Sequence, residues 1–215
     1  MSIAAPEHKM LAGGAGDIET LIEHPDSSLY PQARAIAVCC HPHPLFGGAM
    51  TNKVIHTVAR SFVASGAITL RFNFRGVGAS AGVHDEGRGE LDDLLRVVDW
   101  ARAQWPGLPL WLGGFSFGAW MVLRAQAVLT PQLLVTVAPP VGRWNFDDVS
   151  APLCPWLVVQ GSQDELVDAQ AVRNYAASLA PDADYVEING ADHFFHGRLH
   201  EVRDQVSRVA STPRL

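Results

Sequence analysis

Short runs of apolar and β-branched residues recur along the chain, each followed by a longer stretch of helical period. No other feature narrows the possible folds as much. "ARAIAVCC" (33–40), "AITLRFNF" (67–74), "LPLWLGGFS" (108–116), "LLVTVAPPV" (133–141), "PWLVVQG" (155–161) and "DYVEING" (184–190) read as strands. Between the first two, residues 51–65 place Val54, Ile55, Val58, Ala59 and Phe62 at helical spacing. Residues 90–105 give the clearest helix: Leu91, Leu94, Leu95 and Val98 form one stripe, with Asp92, Asp93, Arg96 and Asp99 largely off it. Pro106 and Gly107 stop it. Residues 118–129, 168–179 and the tail from about Arg198 supply further helices. Strands that alternate with helices need crossover connections, which predicts a largely parallel sheet covered on both faces. The less regular first thirty residues are expected to add one or two antiparallel edge strands.

With 215 residues, 48% of them hydrophobic, the chain can bury one substantial core, and a single domain over 1–215 is expected. A net charge of −6 argues against nucleic acid or an anionic membrane as partner. The arginines near the C-terminus are interspersed with Glu and Asp and read as a solvated helix face. The first ten residues lack the apolar core of a signal peptide, and no apolar stretch approaches membrane-spanning length. Cys39, Cys40 and Cys154 make a poor disulfide framework and lack Cys-x-x-Cys spacing. A cytoplasmic location is expected.

The chemistry concentrates at Gly114-Phe115-Ser116-Phe117-Gly118, a Gly-x-Ser-x-Gly pattern between a strand and a helix. A sharp strand-to-helix turn strains the serine backbone and projects its hydroxyl above the sheet edge, and the flanking glycines remove side chains that would collide there. The following helix directs its N-terminal N–H groups at the same place, favouring a developing negative charge. A serine hydroxyl needs a base, and the base needs an orienting carboxylate. On such a turn the chain order is Ser, then Asp or Glu, then His. Asp164 follows the strand at 155–161, with Glu165 and Asp168 as competitors. His193 follows the strand at 184–190, with His196 as rival and His200 expected in the last helix.

In this order, "HPHPLFGG" (41–48), "RFNFRGVGAS", "GGFSFGA", "GSQDELV" and "GADHFF" give the sequence a likeness over residues 35–197. It resembles the α/β-hydrolase superfamily, and within it a group of small bacterial serine hydrolases without a lid domain. The likeness implies an eight-stranded, mostly parallel sheet and carboxylesterase-type activity. Independently, only about a dozen residues ("GRWNFDDVSAPLC") join the strands at 133–141 and 155–161, too few for an inserted helical domain.

An acyl-transfer site also needs N–H donors for the oxyanion. One is expected from Phe117 and the other from the loop holding "HPHPLFGG". Pro42 and Pro44 have no N–H, which leaves His43 and Leu45. Better-known members of the fold carry His-Gly-x here, and by that alignment the donor is His43; Leu45 stays a candidate, because the prolines can displace the loop relative to that pattern. His41 is expected to fix the loop through side-chain hydrogen bonds. His41 and His43 also resemble the start of a zinc site, but no metal motif follows. "GVGASAG" loosely matches a dinucleotide fingerprint, yet "VHDEGRGE" intervenes before the next helix. That loop is instead expected near the site, held by Asn73 and Arg75. The expected protein is a serine hydrolase acting on a small-molecule ester without cofactor or metal, with Phe46, Phe115, Trp144 and Phe194 facing substrate. A peptidase or thioesterase with the same triad, or a non-catalytic small-molecule binding protein, are the alternatives.

Overall fold

The computed structural model describes residues 5–211. The N-terminal segment is a hairpin: β1 (Glu7–Gly13) turns into β2 (Gly16–Glu23), with Gly13 opposite Gly16. Six more strands follow: β3 (Ala35–Cys40), β4 (Ala67–Phe72), β5 (Leu110–Phe115), β6 (Leu133–Val137), β7 (Trp156–Gly161) and β8 (Asp184–Ile188). They join one eight-stranded sheet in the order β1-β2-β4-β3-β5-β6-β7-β8. β2 runs antiparallel to β1 and β4, and the pairings from β4 through β8 are parallel. This is the α/β-hydrolase architecture that the likeness implies, with the hairpin as its antiparallel edge.

Five helices cover the sheet: α1 (Lys53–Ala64), α2 (Arg88–Gln104), α3 (Phe117–Leu129), α4 (Ala169–Leu179) and α5 (Leu199–Ser211). Strand β3 shows why its sequence is a continuous apolar run. Ala35, Ala37 and Cys39 pack in one layer with Val54 and Val58 of α1 and Val202 and Val206 of α5. Ile36, Val38 and Cys40 pack in the other with Leu94 of α2, Met121 of α3 and Val172 of α4. Both faces are buried, so neither alternates with polar residues. Phe62 of α1 lies fully buried against Trp111, ring centres 5.6 Å apart. Its truncation to Ala is expected to cost about 3–5 kcal/mol.

Helix starts follow local chemistry. The Asn52 carboxamide accepts the N–H groups of Val54 and Ile55 and caps α1, and Asp168 caps α4 through Gln170 and Ala171. At α2 the reverse contact carries the cap: buried Glu90 accepts the N–H groups of Gly87 and Asp85. Several strands stop earlier than their sequences suggest, β6 and β4 among them. β6 ends at Val137 because Ala138 turns to φ 46° and Pro139 and Pro140 offer no N–H. β4 ends at Phe72, and the N–H of Asn73 goes to the Glu19 carbonyl.

The connection 138–155 between β6 and β7 forms no helix and lies along α3. Trp120 Nε1–H donates to the Asn145 carbonyl at 2.8 Å, and Gln126 donates to the Ser150 carbonyl at 2.9 Å. Among the described residues no helix is long and apolar enough to cross a membrane.

Candidate active site

In a parallel sheet, the loops after successive strands emerge on one edge. The loops after β3, β5, β7 and β8 carry His43, Ser116, Asp164 and His193. Ser116 occupies the step from β5 to α3 with φ 52° and ψ −117°, a strained conformation for a side chain bearing Cβ. The step is held from both sides. Its N–H donates to the Val137 carbonyl at 2.9 Å, and its carbonyl accepts from Ala119 and Trp120. The flanking glycines permit it: a Cβ at Gly114 would strike the Gly118 carbonyl, and one at Gly118 the Cys40 carbonyl. The Ser116 hydroxyl makes no capping bond to α3, so it remains available to a base.

The imidazole of His193 lies beside that hydroxyl. Its Nε2 lies 3.1 Å from Ser116 Oγ, and its Nδ1 lies 2.8 Å from Asp164 Oδ2. A carboxylate only accepts, so Nδ1 carries the proton and Nε2 is left to accept from the serine. Asp164 is held just as firmly. Oδ1 accepts the N–H groups of Leu166 and Val167 at 2.9 and 2.8 Å, while Oδ2 also accepts Gln160 Nε2–H at 2.8 Å. Burial by itself would raise the Asp164 pKa, but the bonds from His193, Val167 and Leu166 outweigh it and keep the carboxyl below its ordinary range.

The rival residues are engaged elsewhere. Glu165 accepts the His193 backbone N–H at 3.2 Å, and Asp168 caps α4. His196 is exposed and paired with Asp192 at 2.6 Å, and His200 sits exposed on α5.

On the opposite side of Ser116 lies the loop 41–48. Fully buried His41 accepts the Phe74 N–H with Nε2 at 3.0 Å, so its Nδ1–H donates to the Pro42 carbonyl at 2.6 Å. Burial pushes its pKa down to about 4. The Pro42 carbonyl shares a peptide group with the His43 N–H, so this bond orients that N–H as well. Pro44–Phe46 form a short 3-10 turn in which the Leu45 N–H donates to His43 Nδ1 at 3.2 Å. Among the described residues, the N–H groups of His43 and Phe117 donate to no protein acceptor. The loop then folds back tightly, and a Cβ at Gly48 would strike the Pro42 and His43 carbonyls. Its trailing end is tied to β4: the Met50 N–H donates to Asn73, and Arg71 donates to the Met50 carbonyl.

Asn73 also donates to Glu19, and its carbonyl accepts the Ser80 hydroxyl. Arg75 grips Asp93 of α2 through both Nε and Nη2. The glycine loop is therefore held by the two residues expected to hold it, and α2 opens only at Arg88, beyond its glycines.

Four aromatic residues were expected to face substrate, and the structure separates them. Phe46 is 83% exposed and Phe194 40% exposed, the first against His43 and the second against His193. Phe115 is a correction. It is fully buried, its ring 5.2 Å from that of His193, so it packs beneath the imidazole within the core and exposes no surface. It belongs to a strand with both faces covered, where an aromatic residue fills a layer. Trp144 is half-buried and stacked on protein rings. Gln160 escaped sequence reasoning, although one amide near the end of the apolar run "PWLVVQG" marks a buried polar group that needs a partner. A cavity of about 730 Å³ opens at the other end of the strands, lined by Trp111, Trp156 and Arg34, and none of these candidate residues reaches it.

The model of the alpha/beta hydrolase domain family matches residues 43–212. The chain belongs to that family. It is also similar to a solved α/β serine hydrolase without lid from Xanthomonas campestris, at 42% identity and a TM-score of 0.90, covering 97% of this chain and 94% of that one. A second solved structure, an α/β serine hydrolase homologue from Coxiella burnetii, is 38% identical at a TM-score of 0.90, covering 97% and 99% of the two chains. A protein of Rickettsia prowazekii is 36% identical over 177 residues, 77% of this chain and 74% of that protein. An α/β hydrolase of this kind carries its chemistry on the loops after the parallel strands, and those loops hold Ser116, Asp164 and His193 here.

Proposed function

We propose that this hydrolase is a serine carboxylesterase that cleaves small carboxylic esters through an acyl-enzyme. The observation that carries the reading is the continuous chain of bonds from Ser116 Oγ to His193 to Asp164, at 3.1 and 2.8 Å. Ser116 attacks the ester carbonyl while His193 Nε2 takes its proton, and Asp164 stabilises the imidazolium that forms. The carbonyl oxygen becomes an oxyanion, which the N–H groups of Phe117 and His43 receive at the N-terminal end of α3. His43 is the better second donor because the Leu45 N–H is already committed to His43 Nδ1. His193 then returns the proton to the leaving alcohol. A water activated by the same imidazole attacks the acyl carbonyl, releasing the acid and restoring Ser116. No cofactor enters these steps.

Exposed Phe46 and Phe194, beside the oxyanion loop and the base, favour an apolar acyl group. The test is a panel of chromogenic esters of graded acyl length, with matched thioester and peptide substrates. Esters are expected to turn over, with Ser116→Ala inactive. If no ester is hydrolysed, or thioesters or peptides are strongly preferred, the reading fails. Activity that survives Ser116→Ala and is removed by a chelator would put a metal at the chemistry instead.

A further inference from the structure

Three rings from separate parts of the chain stack beside the candidate site: Trp120 of α3, Trp144 of the connection 138–155, and His43 of the loop after β3. The Trp144 ring is near-parallel to both others, 5.8 Å and 13° from Trp120, and 5.5 Å and 19° from His43. The segment carrying Trp144 is anchored to α3. Trp120 donates to the Asn145 carbonyl at 2.8 Å, and Arg124 both covers the Trp120 ring at 4.8 Å and donates to Asp148 at 2.7 Å. At its far end the His43 ring meets Phe117, His84 and Phe46, ring centres 5.0, 4.8 and 4.7 Å away.

The 3-10 turn beside His43 buries none of its residues, and Leu45 and Phe46 stand exposed at its tip. Such a turn has no core of its own to hold it, yet oxyanion donors act through fixed placement before the reaction begins. His41 holds the Pro42–His43 peptide from inside the protein. From outside, Trp144 is the one of the four ring neighbours of His43 that lies near-parallel to it, on a segment tied to the nucleophile helix through Trp120.

We infer that Trp144 is a positioning residue, which braces the His43 side chain and thereby holds the His43 N–H where the oxyanion forms. The connection that carries no lid thus has a task of its own, steadying the oxyanion loop. The inference rests on the esterase reading above.

The test compares Trp144→Ala, Trp144→Leu and Trp144→Phe with wild type. Four quantities are measured: kcat, KM, affinity for an alkylboronic acid that forms a tetrahedral adduct on serine, and thermal melting. Complete loss of an oxyanion donor lowers kcat by about 10²–10³-fold. A loosened donor in Trp144→Ala is expected to lower kcat about tenfold or more, with KM within about twofold. Boronate affinity should fall in step with kcat, and Trp144→Phe should recover most of both. Trp144→Leu, which keeps apolar volume without a flat face, should match the alanine variant and replaces it if that protein does not fold. An unchanged kcat, an effect confined to KM, or no recovery with phenylalanine overturns the inference. The ring-current shift of the His43 imidazole protons reads the stack without any substrate. A shift indifferent to Trp144 overturns the inference whatever the activity. A shift that depends on Trp144, in a wild-type protein inert toward esters, overturns the esterase reading instead.

Discussion

On one side of Ser116 the candidate machinery consists of side chains, and on the other it consists of backbone. The acid–base side uses Asp164 and His193, each from the loop after its own strand, joined by bonds that name their atoms. The oxyanion side uses two N–H groups, and side chains enter only as supports: His41 on the peptide before the donor, and the Trp144 ring beside it. A side-chain site fails when one group is removed. A backbone site has no group to delete and degrades as its supports loosen. The two sides should therefore answer mutation very differently.

Breaking the side-chain arm should give the largest effects. His193→Ala is expected to lower kcat by about 10⁶-fold, as removal of the base does in a serine hydrolase. His196→Ala should stay within about twofold of wild type. The reverse pattern in steady-state kinetics would move the base to His196. Asp164→Asn keeps the shape but favours the wrong tautomer of His193, and should lower kcat by about 10⁴-fold. A loss under about tenfold would show that the imidazole is oriented by something other than this carboxylate.

The backbone arm should show itself first in stability. Folded His41 stays neutral down to about pH 4, whereas in the unfolded chain it takes a proton near its ordinary 6.5. Between those values the unfolded state binds more protons, so stability falls as pH drops from about 6.5 to 4. A difference of that size is worth about 3 kcal/mol when fully developed. In His41→Asn the slope of denaturation free energy against pH over this window should flatten. An unchanged slope would mean that other groups carry the acid sensitivity. Asp164 acts in a lower window. Its depressed folded pKa makes its contribution complete above the unfolded value near 3.9, and lost as pH falls through the folded one.

The smallest expected effect probes how far the side-chain arm reaches. Gln160 donates to the same Asp164 oxygen as His193, while its own Oε1 is buried with no partner among the described residues. Gln160→Leu removes a donor and an unsatisfied acceptor together. A several-fold loss of kcat is expected, with stability within about 1 kcal/mol of wild type. A loss as deep as that of Asp164→Asn would place Gln160 among the residues that set the carboxylate.

The same contrast explains what could be read from the sequence. The meeting of Ser116, Asp164 and His193 at one sheet edge was legible because a strand-to-helix serine fixes where an acid and a histidine must follow in the chain to reach it. The central parallel strands were legible because their runs are mostly apolar and buried, and the hairpin less so because β1 is largely exposed. The second oxyanion donor is open between His43 and Leu45 in the sequence, since every non-proline residue has an N–H; the Leu45–His43 Nδ1 contact, which favours His43 in the proposed reading, is a feature of the folded loop. Aromatic residues misled for a related reason. Residue type does not reveal that Phe115 faces inward beneath His193, or that the Trp144 ring is taken up by Trp120 and His43.

Every step of the proposed reaction depends on Ser116 as a nucleophile activated by His193. Labelling with a fluorophosphonate, followed by mass mapping of the modified peptide, tests it most directly. A single adduct is expected on Ser116 in the wild type, none in Ser116→Ala, and a labelling rate greatly reduced in His193→Ala. An adduct on another residue, or equal labelling without His193, would contradict it.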